Sequence, residues 1–167
     1  TNKRKNAWGT GLIFNHAIDS IQNVTVAAGF TREISENANN TAYYRNAYGL
    51  GLAYNFVHTT YGLDLERQVT KNQGDKRTKN EVRAIVRQGL NEDWNVYAMY
   101  AYKTDKQFGD TDRTRQFMVG TEYYVYNQGS LKVKPFLEWQ ATRTKYENST
   151  VDRSRDFKTV IGLRAYW

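Results

Sequence analysis

The chain has 167 residues and a formal net charge of +7, from 24 Lys and Arg against 17 Asp and Glu. It holds no cysteine, which excludes a disulfide-stapled domain and a thiolate metal site, and two histidines far apart in sequence are a poor basis for a metal centre. Tyr, Phe and Trp number 13, 7 and 4, yet mean hydropathy is −0.79 and no apolar run approaches the roughly eighteen residues of a membrane-spanning helix.

Alternation of apolar and polar residues between turn-forming segments predicts nine β-strands and no helix. The first, roughly 7–17, sets Trp8, Thr10, Leu12 and Phe14 against Gly9, Gly11, Ile13 and Asn15. The second, roughly 23–34, sets Val24, Val26, Ala28 and Phe30 against Thr25, Ala27, Gly29 and Thr31. In the third, roughly 43–57, Tyr48, Leu50, Leu52, Tyr54 and Phe56 oppose Ala47, Gly49, Gly51 and Ala53. The fourth, roughly 60–71, opposes Tyr61, Leu63 and Leu65 to Gly62, Asp64 and Glu66. The fifth, roughly 78–90, opposes Val82, Ala84 and Val86 to Arg83, Ile85 and Arg87. The sixth, roughly 94–105, has Trp94, Val96, Ala98, Tyr100 and Tyr102 opposite Asn95, Tyr97, Met99 and Lys103. The seventh, roughly 114–127, has Phe117, Val119, Tyr123 and Val125 opposite Gln116, Gly120, Glu122 and Tyr124. The eighth, roughly 130–145, has Leu131, Val133, Leu137 and Trp139 opposite Lys132, Lys134, Glu138 and Gln140. The ninth, 156–167, has Phe157, Ile161, Leu163, Ala165 and Trp167 opposite Lys158, Gly162 and Arg164.

Short connections follow strands one, three, five and seven, at 19–22, 58–59, 91–93 and 127–129. Longer polar ones follow strands two, four, six and eight, at 33–42, 70–80, 105–113 and 145–155. Tight turns at one end and long loops at the other are the pattern of a transmembrane antiparallel up-and-down β-barrel in a Gram-negative outer membrane. The oily face then meets lipid, with Trp8, Tyr54, Trp94, Tyr123, Trp139 and Trp167 in the aromatic girdles. A soluble β-sandwich shares the alternation, but its core would have to hold Arg83, Arg87, Lys132, Lys134 and Arg164. Nine strands put the start of the chain at the long-loop end and Trp167 at the periplasmic end. Bacterial barrels have even strand numbers, so the chain is expected to be the C-terminal part of a larger barrel.

The charged face is expected to line a water-filled lumen, with Arg83, Arg87, Lys103, Lys132, Lys134, Lys158 and Arg164 as its cations. One reading is a ladder of salt bridges that stiffens the wall. The other is a pore whose Arg and Lys draw in anionic solutes. The cations at 71, 76, 77, 79, 113, 115, 143, 145, 153 and 155 fall in or beside the long connections, where lipopolysaccharide phosphates would lie. Their place in turn-like segments, rather than along one helix, weighs against nucleic acid. No nucleophile and base pair is legible, and His16 and His58 fall near short turns. Glu122 and Glu138 face inward on neighbouring strands, which alone is a weak basis for glycosidase chemistry. The expectation is no enzyme and no cofactor.

Three stretches carry a resemblance: V-R-A-I-V-R-Q-G-L-N-E-D-W-N-V-Y at 82–97, K-P-F-L-E at 134–138 and D-R-S-R-D-F-K-T-V-I-G-L-R-A-Y-W at 152–167. They resemble the oligogalacturonate-specific porin family, which includes sialic-acid channels. The resemblance implies a monomeric twelve-stranded outer-membrane barrel that passes acidic oligosaccharides by passive diffusion. Arg83, Arg87, Lys132, Lys134, Lys158 and Arg164 match its basic wall. Trp167 stands where such barrels usually end in Phe, and resembles the aromatic end read by the barrel assembly machinery. A general porin of larger strand number, or a structural or adhesion barrel with a salt-bridged lumen, stays open beside this reading.

Overall fold

The computed structural model describes residues 5–36, 42–72, 74–128, 131–148 and 153–166. These form ten β-strands: β1 (Lys5–Ala17), β2 (Gln22–Glu36), β3 (Ala42–Phe56), β4 (Thr59–Asn72), β5 (Asp75–Gly89), β6 (Trp94–Gln107), β7 (Asp110–Tyr123), β8 (Tyr126–Gln128), β9 (Leu131–Lys145) and β10 (Arg153–Tyr166). All lie in one sheet, ordered β1-β2-β3-β4-β5-β6-β7-β9-β10, with β8 continuing the line of β7 along β9. The described chain is thus all-β, antiparallel and up-and-down, as the alternation predicted.

The single seventh strand expected over 114–127 is two. Glu122 pairs with Phe136 and Tyr126 with Val133, so residues 123–125 stand opposite Lys134 and Pro135 alone. The extra residue is a bulge. It falls at the chain's one proline, which has no N–H to give to the ladder.

Two of the four long connections are not loops. Residues 75–80 belong to β5, and Asp105 and Asp110 sit inside β6 and β7. The polar residues there pair across the hairpins, Lys71 with Lys76 and Lys106 with Thr111. What links β6 to β7 is the two-residue turn Phe108-Gly109, with φ of 51° and 94°. Both values are positive, the geometry that matches the twist of the flanking strands. Polarity marked these segments as loop, but polar residues extend a hairpin wherever both strands continue past the apolar part. The other two long connections include residues 37–41 and 149–152, outside the described residues.

One face of the sheet is oily and uncovered: Leu12 and Ile161 are each 80% exposed and Phe157 71%. A sandwich would lay a second sheet over this face, and the described residues supply none. The oily band does not follow the hydrogen-bonded rows. From Leu12 the row runs through Ala28, Leu50, Leu65, Val82, Tyr102, Arg115 and Arg143 to Arg155. On β1 the oily stretch is Trp8 to Phe14, but on β10 it is Phe157 to Ala165, centred on Ile161. The centre has moved seven residues, from Ser154, which lies on the row of the β1 centre Gly11, to Ile161, over eight pairings. That is about 23 Å along the strands against about 38 Å across them, so a level oily band requires strands tilted by roughly 30°.

Aromatic residues mark the borders of this band. Trp8 packs on Phe30 and Phe30 on Tyr48, with ring centroids 5.3 and 5.1 Å apart, at the border near the polar hairpins. Trp94 pairs with Tyr123 at the other border and donates its indole N–H to Thr121 at 2.6 Å. Tyr54, in the same half, donates to Gln22 at 2.6 Å. Trp139 lies further inside the band, and Trp167 lies outside the described residues.

The sheet does not close on itself among the described residues. β1 pairs only with β2, and β10 only with β9. Eight antiparallel pairings also leave β1 and β10 running in the same direction.

Phe108 is a bulky residue held at φ 51°, where Asn is at ease. Phe108→Asn is expected to raise stability by about 1 kcal/mol, read as a higher denaturant midpoint at unchanged slope. An unchanged midpoint would mean that the turn carries no strain.

Candidate functional site

The second face of the sheet carries nearly all the acids of the strands and their partners. Its densest cluster spans β5 to β10 near the short-turn end. Glu122 on β7 is 3% exposed and Lys134 on β9 is 6% exposed, the two buried polar side chains among the described residues. The Glu122 carboxylate takes hydrogen bonds from Arg87, from Lys134 at 3.3 Å and from Arg164 at 3.2 Å. Arg164 also donates to Glu138 at 2.8 Å, and the Tyr97 hydroxyl donates to the same Glu138 oxygen at 2.6 Å. Two cations lie over rings: Lys134 is 4.4 Å from the Tyr124 centroid and Arg164 is 4.1 Å from that of Phe136.

Several of these bonds skip a strand. Arg87 on β5 reaches Glu122 on β7 over β6, Tyr97 on β6 reaches Glu138 on β9 over β7, and Arg164 on β10 reaches Glu122 over β9. Two strand spacings are about 10 Å, and long side chains that meet across them over a buried Glu122 fit a face that is concave. Glycine makes the crossing available. Tyr97 pairs with Gly120, and a Cβ on Gly120 would stand 2.5 Å from the tyrosine ring. The ring lies flat over the glycine and delivers its hydroxyl to the next strand. Phe136 covers Gly162 at the same distance.

A second cluster lies further along the same face. Glu81 is bound by Arg83 at 2.7 Å and Lys103 at 3.3 Å, and Arg83 lies 4.0 Å from Asp64. Beside it, Gly11, Gly29, Gly49 and Gly51 line an open hollow of about 550 Å³ edged by Asp64, Glu66, Glu81 and Arg83. Beyond the oily band, Arg77 donates to Asp105 at 2.8 Å with Lys79 at 3.7 Å. The Arg77 hydrogen bond holds the Asp105 carboxyl below its ordinary range.

All seven cations expected on this face are there. Arg83, Arg87, Lys103, Lys134 and Arg164 are ion-paired. Lys132 and Lys158 are exposed and have no ion pair among the described residues. The sequence placed the acids on this face too, but not which cation each would meet. That depends on register, and on small residues such as Gly120 that let a side chain cross a strand.

The excess positive charge sits at the long-connection end, where the sequence reading put much of it, and the pairing register adds which face it occupies. On the concave face acids and bases nearly balance. The surplus is on the oily face, beyond the band at the end of the polar hairpins: Arg32, Arg67, Lys71, Lys76, Lys106, Arg113, Arg115, Arg143, Lys145, Arg153 and Arg155. No acid shares this face among the strand residues whose side chains are described.

Glu122→Gln removes the negative charge shared by three cations, one of them the buried Lys134. It is expected to cost roughly 3–5 kcal/mol in denaturant unfolding. Adding Lys134→Met is expected to recover part of that loss, since the buried charge is then gone. A single variant as stable as the parent would show that these bonds do not hold the wall. No protein-family model matches the chain, and no curated protein matches it either.

Proposed function

We propose that this sheet is the wall of an outer-membrane β-barrel that lets small hydrophilic solutes, acidic sugars among them, cross the bilayer. The observation that carries it is the uncovered oily band, tilted against the hydrogen-bonded rows and backed by a concave face of charges. Water-soluble proteins rarely leave so large an apolar surface bare. A bilayer covers it at no desolvation cost, and membrane barrels tilt their strands by roughly 35–45°, close to the angle derived above. Border aromatics such as Trp8, Trp94 and Tyr123 fit the two interfaces.

On this reading the concave face lines the passage. Its long-hairpin half mixes acids with Arg83 and Lys103, whereas Lys132, Lys134, Lys158 and Arg164 make the β9–β10 side locally basic. A carboxylated sugar is best served there, by the exposed Lys132 and Lys158. The stretches at 82–97, 134–138 and 152–167, similar to the oligogalacturonate-specific porins, support the acidic-sugar substrate. Closure needs partners for the free edges of β1 and β10. Since these strands run the same way, an odd number of further strands between them keeps every pairing antiparallel.

A second reading has its own observation. The ion pairs crossing two strand spacings from β5 to β10 also suit a structural barrel whose lumen they fill. Planar-bilayer recording decides between the two. A channel is expected to conduct with modest anion preference, and Lys132→Glu with Lys158→Glu is expected to move the reversal potential toward cations. A protein that floats with lipid vesicles but never conducts would assign the structural barrel. A reversal potential unmoved by the double variant would take the anion path away from β9–β10.

A further inference from the structure

Six of the surplus cations form an array. Arg113 pairs across the sheet with Lys145 and Lys145 with Arg153; in the next row of that face, Arg115 pairs with Arg143 and Arg143 with Arg155. Two rows of three cations thus stand side by side on β7, β9 and β10. All six side chains are exposed, and none has an ion pair or side-chain hydrogen bond among the described residues. Asp112 and Asp156, their neighbours in sequence, belong to the opposite face. The carboxylate of Glu147 accepts from the backbone N–H of Thr111.

Directly opposed side chains in a sheet lie about 5 Å apart, and like charges so placed repel. An ordinary sheet surface intersperses the two signs. Six cations with no acid among them in the described residues are unfavourable unless an anion with several charges sits over them. What lies next to the array says what the rest of that anion is. One row further into the oily band are Phe117, Ala141 and Phe157, and then Trp139. The Trp139 ring is 6.5 Å from Phe117 and 6.1 Å from Phe157, making one aromatic platform across three strands.

We propose that β7, β9 and β10 form a binding site for a lipid bearing at least two phosphates, of the kind found in the phosphorylated diglucosamine lipid of the outer leaflet. The cations take the phosphates and the platform takes the acyl chains. Arg supplies a planar fork of donors that fits phosphate in two-point contact, and five of the six residues are Arg. This rests on the membrane reading, because the headgroup level must coincide with the border between Arg155 and Phe157.

The test uses the full 167-residue chain in neutral phosphatidylcholine nanodiscs. Binding of bis-phosphorylated lipid A is compared with its monophosphoryl and dephosphorylated forms by native mass spectrometry. The expected order is bis, then mono, then none, and Arg115→Gln with Arg143→Gln and Arg155→Gln is expected to weaken the bis form at least tenfold. Arg32→Gln with Lys71→Gln, on β2 and β4 of the same face and at least three strands from the array, is expected to leave it unchanged. Circular dichroism and protease protection confirm that each variant is folded and inserted. Three results overturn the proposal: equal binding of all three lipids, equal loss in the Arg32 and Lys71 variant, or displacement by millimolar inorganic phosphate as effective as by lipid A. A single-stranded oligonucleotide that binds as tightly, and is lost with the same three arginines, would move the site to nucleic acid. If the parent chain stays out of neutral vesicles altogether, the membrane reading fails. The array is then tested alone, on lipid A micelles against micelles of the dephosphorylated lipid, where equal binding overturns it.

Discussion

A single sheet with no second layer among its described residues must find a partner for its oily face outside them. That constraint governs the rest of this structure. Most folded chains bury their large apolar side chains against one another, whereas here the one buried hydrophobic residue among the described residues is Ala101. Cohesion between neighbouring strands comes from the backbone ladder, in long runs such as the fifteen-residue pairing of β2 with β3. Cohesion across several strands comes from the ionic lattice around Glu122 and Glu81. Deletion of one carboxylate therefore matters more here than in a protein with a packed core, because no oily interior stands behind it.

The lattice and the band are two sides of one geometry. Bending the sheet toward the charged face brings Arg87, Tyr97 and Arg164 within reach of carboxylates two strands away. The same bend splays the oily side chains apart and leaves them exposed. Gly120 and Gly162 sit where aromatic rings must lie flat against the wall for this to happen. In the proposed barrel that curvature is the curvature of the pore wall, and the ion pairs hold it at the short-turn end.

Much of the fold was legible because a strand has a period of two. Side chains such as Leu12, Leu50 and Ile161 on one face, and Arg83, Glu122 and Arg164 on the other, were assigned by counting alone. Three things were not. Polar residues at 75–80 and 110–113 looked like loop, since composition cannot tell an extended polar hairpin from an unpaired one. The bulge opposite Pro135 depends on the partner strand, which local pattern does not contain. The separation of charge needed the pairing register. Arg115, Arg143 and Arg155 are far apart in the chain, and only register makes them neighbours. Much of the net charge of +7 was placed at the long-connection end by sequence, but only register puts it on the rim of the oily face.

The two free edges of the sheet differ in what they invite. β10 presents Arg153 and Arg155 over its upper part, and charges on an edge discourage a second chain from adding a strand there. β1 presents Trp8, Thr10, Leu12 and Phe14 alternating with Gly9 and Gly11, an uncharged template. Before its partners are in place, such an edge is open to stray pairing with another copy of itself. Self-association during folding would therefore start from β1, and whatever pairs with β1 in the finished molecule also protects the chain from aggregation.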